Sequence, residues 1–398
     1  MTSPMRWASA LSEEKDPIAA IEECASKIRA EGSSPDAAFL FISRDHCPDA
    51  ALLPAALARA LSPKHILGCS AGGVIGGGRE VERESALALT CAWLPGARLH
   101  PFHVKMESMP DSDARPKAWR DWTGFPDASQ KPGFLHFCDP YSMDSERMTQ
   151  GLDFAYPGCV QVGGLASAAS TPEGNALFLD DQVCTGGAVG AALSGDVVID
   201  TLVAQGCRPV GPPMRVTKCS KNVLLEVEGI PPLEALKNIL DGLSEEDVQL
   251  ARTSLFLGLL GDALLPAEGK RDFLIRNFVG ADAKKGILAV GALLRHGMTV
   301  QFHLRDKRTS AGDLEERLTL YSQGRPSPEP KGALLFSCVG RGKRLYGRPG
   351  HDSELFEKKL GLPLGGFFCN GEIGPVGGTT YLHGYTSCFG IFRPKNAP

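Results

Sequence analysis

No stretch of this 398-residue sequence approaches the eighteen or so consecutive apolar residues that a membrane-spanning helix needs. The opening fifteen residues hold no apolar segment followed by a cleavage-like site. A membrane or secreted location is therefore not expected, and the chain reads as cytoplasmic. An excess of one charge is also missing: 42 Lys and Arg stand against 46 Asp and Glu, well mixed, for a net charge of -4. Without a basic block or basic residues interleaved with aromatics, nucleic acid is not an expected partner. Twelve cysteines are present but no CxxC, and the closest pair, Cys207 and Cys219, has eleven residues between. Nor do the nine histidines show HxxxH or HExxH spacing. No metal site and no cofactor are expected. The glycine run at 72–78 lacks the strand–turn–helix context of a dinucleotide loop, because the next periodic segment is a strand at 85–93.

What is present describes a globular protein of two or three domains, 43% hydrophobic and 22% charged. A helix is expected over 16–30, opened by Asp16 as cap and Pro17 at the first helical position. From there one order of elements recurs. An apolar strand ends in a polar loop, a helix follows, and a second strand enters a glycine turn before a third strand. The copies begin at 38–42, 133–138 and 333–338, with their two key strands roughly 26 to 32 residues apart. That separation suits a βαβ crossover, which makes the two strands parallel. The loop after the first strand and the glycine turn after the second then share the carboxyl edge, where open α/β sheets hold ligands. Between the second and third copies lie other strands and helices, a break at 229–232 and a proline-rich link at 325–330.

The most informative stretch is 364–375, LGGFFCNGEIGP, where an apolar strand enters a turn carrying one amide and one carboxylate. Glycine here permits close backbone approach, so N–H groups of Gly371 and of the earlier turn at Gly72 can face a small molecule. Arg341, between Gly340 and Gly342 on the same expected edge, would hold a ligand carboxylate or pair with Glu372. Glu372 would take an ammonium, and Asn370 would orient the ligand. His383 and Thr386 follow the turn and could complete a polar pocket. The structural alternative is a tight corner whose Asn370 and Glu372 bond only within their own loop. Arg276 and Arg305 read as solvated or structural. Cys69-Ser70 and Cys369 stand at strand-to-turn junctions where a nucleophile could be presented, although thiols inside apolar strands are by default buried.

The tail GGFFCNGEIGPVGGTTYLHGYTSCFGIF, with GALLFSCVGRG and the earlier ILGCSAGGVI, resembles the FIST family, the F-box and intracellular signal transduction proteins. The resemblance implies an N-terminal FIST part and a C-terminal one, and a sensory module that binds small ligands such as amino acids. The residues before position 37 are too few for an F-box bundle, so a ubiquitin-ligase role is not implied. The expected organisation is a helical lead at 1–36, a FIST N-type domain at 37–229 and a FIST C-type domain at 230–398. The expected fold is α/β, with mixed, partly parallel sheets and outer helices built from βαβ–glycine-turn–β units. The expected function is non-catalytic binding of a small polar ligand, with Arg341, Cys369, Asn370, Gly371, Glu372, His383, Thr386, Cys69, Ser70 and Gly72 around it. A separate signalling protein would receive the signal. Two alternatives stay open: a thiol-dependent hydrolase or transferase acting through Cys369 or Cys69, and a protein-binding adaptor.

Overall fold

A computed structural model describes residues 4–29, 32, 34–260, 273–324 and 326–396. Positions 30 and 325, which close the expected first helix and open the expected proline-rich link, lie outside them. The first unit runs β1 (Arg6–Ser12), α1 (Pro17–Arg29), β2 (Ala37–Ser43), α2 (Leu53–Leu61), β3 (His65–Ala71), the hairpin β4 (Gly73–Gly76) and β5 (Arg79–Glu82), and β6 (Leu87–Trp93). The second repeats this order as β7 (Ala97–Val104), α3 (Pro116–Thr123), β8 (Gly133–Cys138), α4 (Ser145–Ala155), β9 (Val160–Leu165), β10 (Leu177–Leu179), β11 (Gln182–Cys184) and β12 (Ala188–Gly195).

The third unit opens with β13 (Val198–Ala204) and is then interrupted. The insertion holds β14 (Cys207–Ser220), β15 (Val223–Val227), α5 (Pro232–Leu240), α6 (Glu245–Ser254), β16 (Leu255–Leu260), β17 (Leu274–Arg276), β18 (Phe278–Asp282), β19 (Ile287–Val290) and β20 (Thr299–Arg305). The unit resumes with α7 (Lys307–Gln323), β21 (Gly332–Cys338), α8 (Gly342–Tyr346), α9 (His351–Leu360), β22 (Leu364–Cys369), the hairpin β23 (Glu372–Val376) and β24 (Thr379–His383), and β25 (Ser387–Arg393).

The expected parallel pairs are present: β2 with β3, β8 with β9, and β21 with β22. Each pair is extended by antiparallel strands of its own unit, in the orders β1-β6-β2-β3, β7-β12-β8-β9 and β13-β25-β21-β22. The fifth and sixth places in each sheet go to a hairpin from a neighbouring unit. Hairpin β10–β11 of the second unit adds to β3, β23–β24 of the third adds to β9, and β4–β5 of the first adds to β22. The exchange is cyclic, so three mixed sheets close into one barrel.

The residues explain why the three pairs match. A Cβ added to Gly68, Gly163 or Gly366 would lie 1.9, 2.1 and 1.9 Å from the carbonyl oxygens of Leu40, His136 and Leu335. Only glycine fits where the two parallel backbones approach so closely. One position further along, Phe41, Phe137 and Phe336 point to the axis, with rings of the first two 5.6 Å and of the last two 6.3 Å apart. All three are fully buried, each contributing roughly 1.5–3 kcal/mol of burial. The helices cover the outer faces: α1 and α2 on the first sheet, α3 and α4 on the second, α7 and α9 on the third.

The insertion has a core of its own, around Val216, Leu257, Val300, Phe302 and Leu304. Its seven-stranded sheet runs β17-β16-β20-β14-β15-β19-β18. The edge strands β17 and β18 are separated in sequence by Asn277 alone, so the sheet must curl until its edges meet. It is anchored at the second unit, where the Arg276 guanidinium donates to Glu146 at 3.0 Å.

Candidate functional site

The carboxyl ends of the three parallel pairs converge at one end of the barrel, and there the turns bond to one another. The Gly72 N–H donates to the Ser167 hydroxyl at 2.9 Å, and that hydroxyl donates to the Phe368 carbonyl at 2.5 Å. Asn370 N–H donates to Leu165 O at 3.1 Å, while Leu165 N–H donates to Gly371 O at 2.9 Å. Gly72 and Gly371 therefore serve as joints between units. Ser70 is buried and its hydroxyl accepts the Ala176 N–H at 2.9 Å. Cys69 and Cys369 are fully buried, and burial pushes both thiols well above their usual range. Held protonated and out of reach, they have neither the ionisation nor the access of a nucleophile.

Glu372 and Thr386 do come together, but beneath the surface. The Glu372 carboxylate is fully buried; it accepts the Thr386 N–H at 3.0 Å and the Thr386 hydroxyl at 2.6 Å. Its other oxygen meets the Cys369 thiol at 3.5 Å. Burial lifts its pKa to about 7. His383 opposes Glu372 in the hairpin and bonds to Gly374 O at 3.0 Å, and burial lowers its pKa to about 4, so the ring is neutral.

The expected pairing of Arg341 with Glu372 is not made. Arg341 is fully buried, with Nε 2.8 Å and Nη2 3.1 Å from the two oxygens of Asp352. Nη1 donates to the Ser310 hydroxyl at 2.8 Å and Nη2 to the Tyr346 hydroxyl at 2.7 Å. The physical reason lies in α9, which packs on the third sheet and brings Asp352 onto Arg341. Four of the five guanidinium N–H groups are thereby engaged without a ligand.

Above this buried layer, a cleft of about 730 Å³ opens between the barrel end and the inserted sheet. The barrel contributes Cys338 to Gly340, Asn370 and Tyr385, and the insertion contributes Phe256, Asn277 and Arg305. Two arginines, Arg305 and Arg344, line it, and among the described residues no acidic one does. Arg305 is only 8% exposed. Among the described residues its one hydrogen bond runs from Nη2 to Gly340 O at 2.6 Å, and its Nε is buried without a partner. Its neighbour Asp306 faces away, capping α7 through Thr309 and pairing with Arg208 at 3.0 Å.

Tyr385 joins the two walls. Its hydroxyl donates to Asn277 Oδ1 at 2.5 Å, and its ring lies 4.3 Å from that of Phe256. The Arg305 guanidinium sits 4.7 Å over the same ring, a cation–π contact that compensates only part of a buried charge. To reach this position Tyr385 adopts a left-handed backbone, φ +67°, a conformation that costs a non-glycine residue about 1–2 kcal/mol. Thr386, pinned by Glu372, holds it there.

Of the expected residues the structure places Asn370 in this cleft, puts Glu372, Thr386 and Cys369 directly behind it, and leaves Cys69 and Ser70 in the core. The sequence reading misses Tyr385, although it names the neighbours His383 and Thr386, and it takes Arg305 for solvated or structural. Phe256 and Asn277 carried no signal, because they reach the site only through the insertion. Among the described residues no cluster of His, Cys, Asp or Glu could hold a metal ion, and no helix is long and apolar enough to cross a membrane.

Comparison with known proteins gives a FIST N domain match at residues 36–230 and a FIST C domain match at 232–375. An uncharacterized protein of Mycobacterium tuberculosis strain H37Rv is 36% identical over 392 residues, covering 98% of this chain and 100% of that protein. An uncharacterized protein of Mycobacterium bovis is 35% identical over 376 residues, covering 93% and 94%. Among solved structures, a cyanuric acid hydrolase described as built by structural concatenation aligns over 98% of this chain and 100% of its own, at 8% identity and a TM-score of 0.33. A likeness that loose carries no argument.

Proposed function

The chain belongs to the FIST family, whose domains are associated with sensory signal transduction, and on that premise we propose that it is a non-catalytic sensor of a small polar ligand. An amino acid or amino-acid derivative is the ligand class proposed, bound in the cleft between barrel and insertion. One observation supports this most directly: among the described residues Arg305, buried with a single hydrogen bond, has no counter-ion, and the cleft it faces has no acidic residue. An unpaired buried charge costs several kcal/mol, and a ligand carboxylate would relieve it with charge-assisted hydrogen bonds. Asn370 and Tyr385 would orient the ligand, while Glu372 and Thr386 hold Tyr385 from behind. Because the ligand would touch both walls, binding would fix the insertion against the barrel. A separate signalling partner would read that change.

A thiol-dependent reaction finds less support. Cys338 is the one thiol among the described residues lining the cleft, and burial pushes it up to about 12. The test is a thermal-shift screen against amino acids, nucleotides and organic acids. A ligand that raises Tm in the wild type and fails to do so with Arg305→Gln is the expected result. Equal stabilisation of both proteins would place binding elsewhere.

A further inference from the structure

We propose that the ligand of this cleft is an N-acylated amino acid with an aromatic or branched side chain, not a free amino acid; this rests on the cleft reading above. A free amino acid brings an ammonium group together with its carboxylate, and each charge needs a partner once desolvated. The cleft supplies Arg305 and, at its exposed rim, Arg344. Among the described residues it supplies nothing acidic. The carboxylate behind it, Glu372, is sealed: fully buried, with both oxygens already engaged by Thr386 and Cys369. An ammonium would thus lie between two guanidinium groups without a counter-charge.

Acylation removes that conflict by turning the ammonium into an amide, which needs one hydrogen-bond acceptor. Asn370 provides it. Its side chain is exposed, its Nδ2 donates to Ala166 O at 3.4 Å, and its Oδ1 is left as an acceptor without a partner among the described residues. The apolar part of the ligand has its own surface in Phe256, Phe278 and Tyr385. A volume of about 730 Å³ falls within the range of roughly 300–1,000 Å³ typical of sites for drug-sized molecules. Charge, amide and apolar body are therefore each matched by different residues of the cleft.

Titration calorimetry on the full chain with three probes tests this: N-acetyl-L-phenylalanine, L-phenylalanine and N-acetyl-L-phenylalaninamide. The expected order puts N-acetyl-L-phenylalanine at least tenfold tighter than either of the others. Arg305→Gln should weaken it at least tenfold, and Asn370→Ala, a change at an exposed side chain, several-fold. Arg305→Lys, which keeps the charge, should retain part of the affinity and serves where the glutamine variant fails to fold. If L-phenylalanine binds as tightly and still depends on Arg305, the acylated class is wrong while the cleft reading stands. If Asn370→Ala changes nothing, the amide contact is wrong and the proposal falls. If none of the three binds, the proposal is overturned, and the cleft reading is then decided by Arg305-dependent hits in the wider screen.

Discussion

At position 372 a carboxylate is buried with only a hydroxyl, an amide N–H and a thiol in contact. Two hydrogen bonds from Thr386 favour its charge, but burial disfavours it more, lifting the pKa from 4.5 to about 7. Between those two values the folded protein keeps a proton that the unfolded chain has released. Stability attributable to Glu372 is therefore full below about pH 4.5 and is lost as pH rises through 7, by up to about 3 kcal/mol. Glu372→Gln removes the titration and keeps an acceptor for Thr386. Urea denaturation at pH 5 and pH 8 should show the wild type losing more stability than the variant over that interval; parallel profiles would contradict this. The two arginines show why the site was only half legible in the sequence. Arg341 stood in a glycine loop on the correct edge, yet nothing local announced that Asp352 would fold back onto it. Arg305 read as solvated or structural, and its sequence neighbour Asp306 does not pair with it, because a strand end sends consecutive side chains different ways.

Among the elements, the parallel pairs and their crossover helices were readable, because apolar runs and glycine turns are local. The first unit's α1 lies inside the expected helical lead, with β1 before it. What could not be read was the hairpin exchange, since a strand after a glycine turn gives no sign of which sheet will receive it. Hairpin β4–β5 shows what the exchange accomplishes. Its Glu80 and Glu82 reach the third unit, where the Glu80 carboxylate accepts the N–H groups of Gly350 at 2.9 Å and Ser353 at 2.8 Å. Glu82 accepts that of Lys343 at 2.8 Å. These N–H groups belong to the first turns of α9 and α8, whose own N-cap residues, Gly350 and Arg341, make no side-chain cap. A carboxylate some 270 residues away in sequence thus completes each helix start. Glu80→Ala should leave two buried donors unsatisfied and cost about 1–3 kcal/mol each. Amide exchange at Ser353 should speed up while that at the far end of α9 changes less. Uniform exchange along α9 in variant and wild type would show the cap to be dispensable.

For the whole molecule, the cyclic exchange means that no unit completes its sheet alone. The first depends on the second for β10–β11, the second on the third for β23–β24, and the third on the first for β4–β5. A defect in one unit should therefore lower the stability of all three. Ile373 offers the cleanest probe: it belongs to the third unit's hairpin, is fully buried, and packs in the second unit's helical layer, in the apolar cluster that also holds Trp119. Ile373→Ala should cost about 2–5 kcal/mol. Two tryptophans report from other clusters, Trp7 and Trp93 in the first unit, while Trp119 and Trp122 of the second share the cluster of Ile373. In denaturant, tryptophan fluorescence and far-ultraviolet circular dichroism of the barrel should shift together in this variant, although the altered residue lies in neither reporting unit. Curled on a separate core, the insertion could follow its own transition without affecting this outcome. If the fluorescence of Trp7 and Trp93 kept its wild-type midpoint while Trp119 moved, the units would be folding independently. The closed ring would then be a matter of geometry and not of energy.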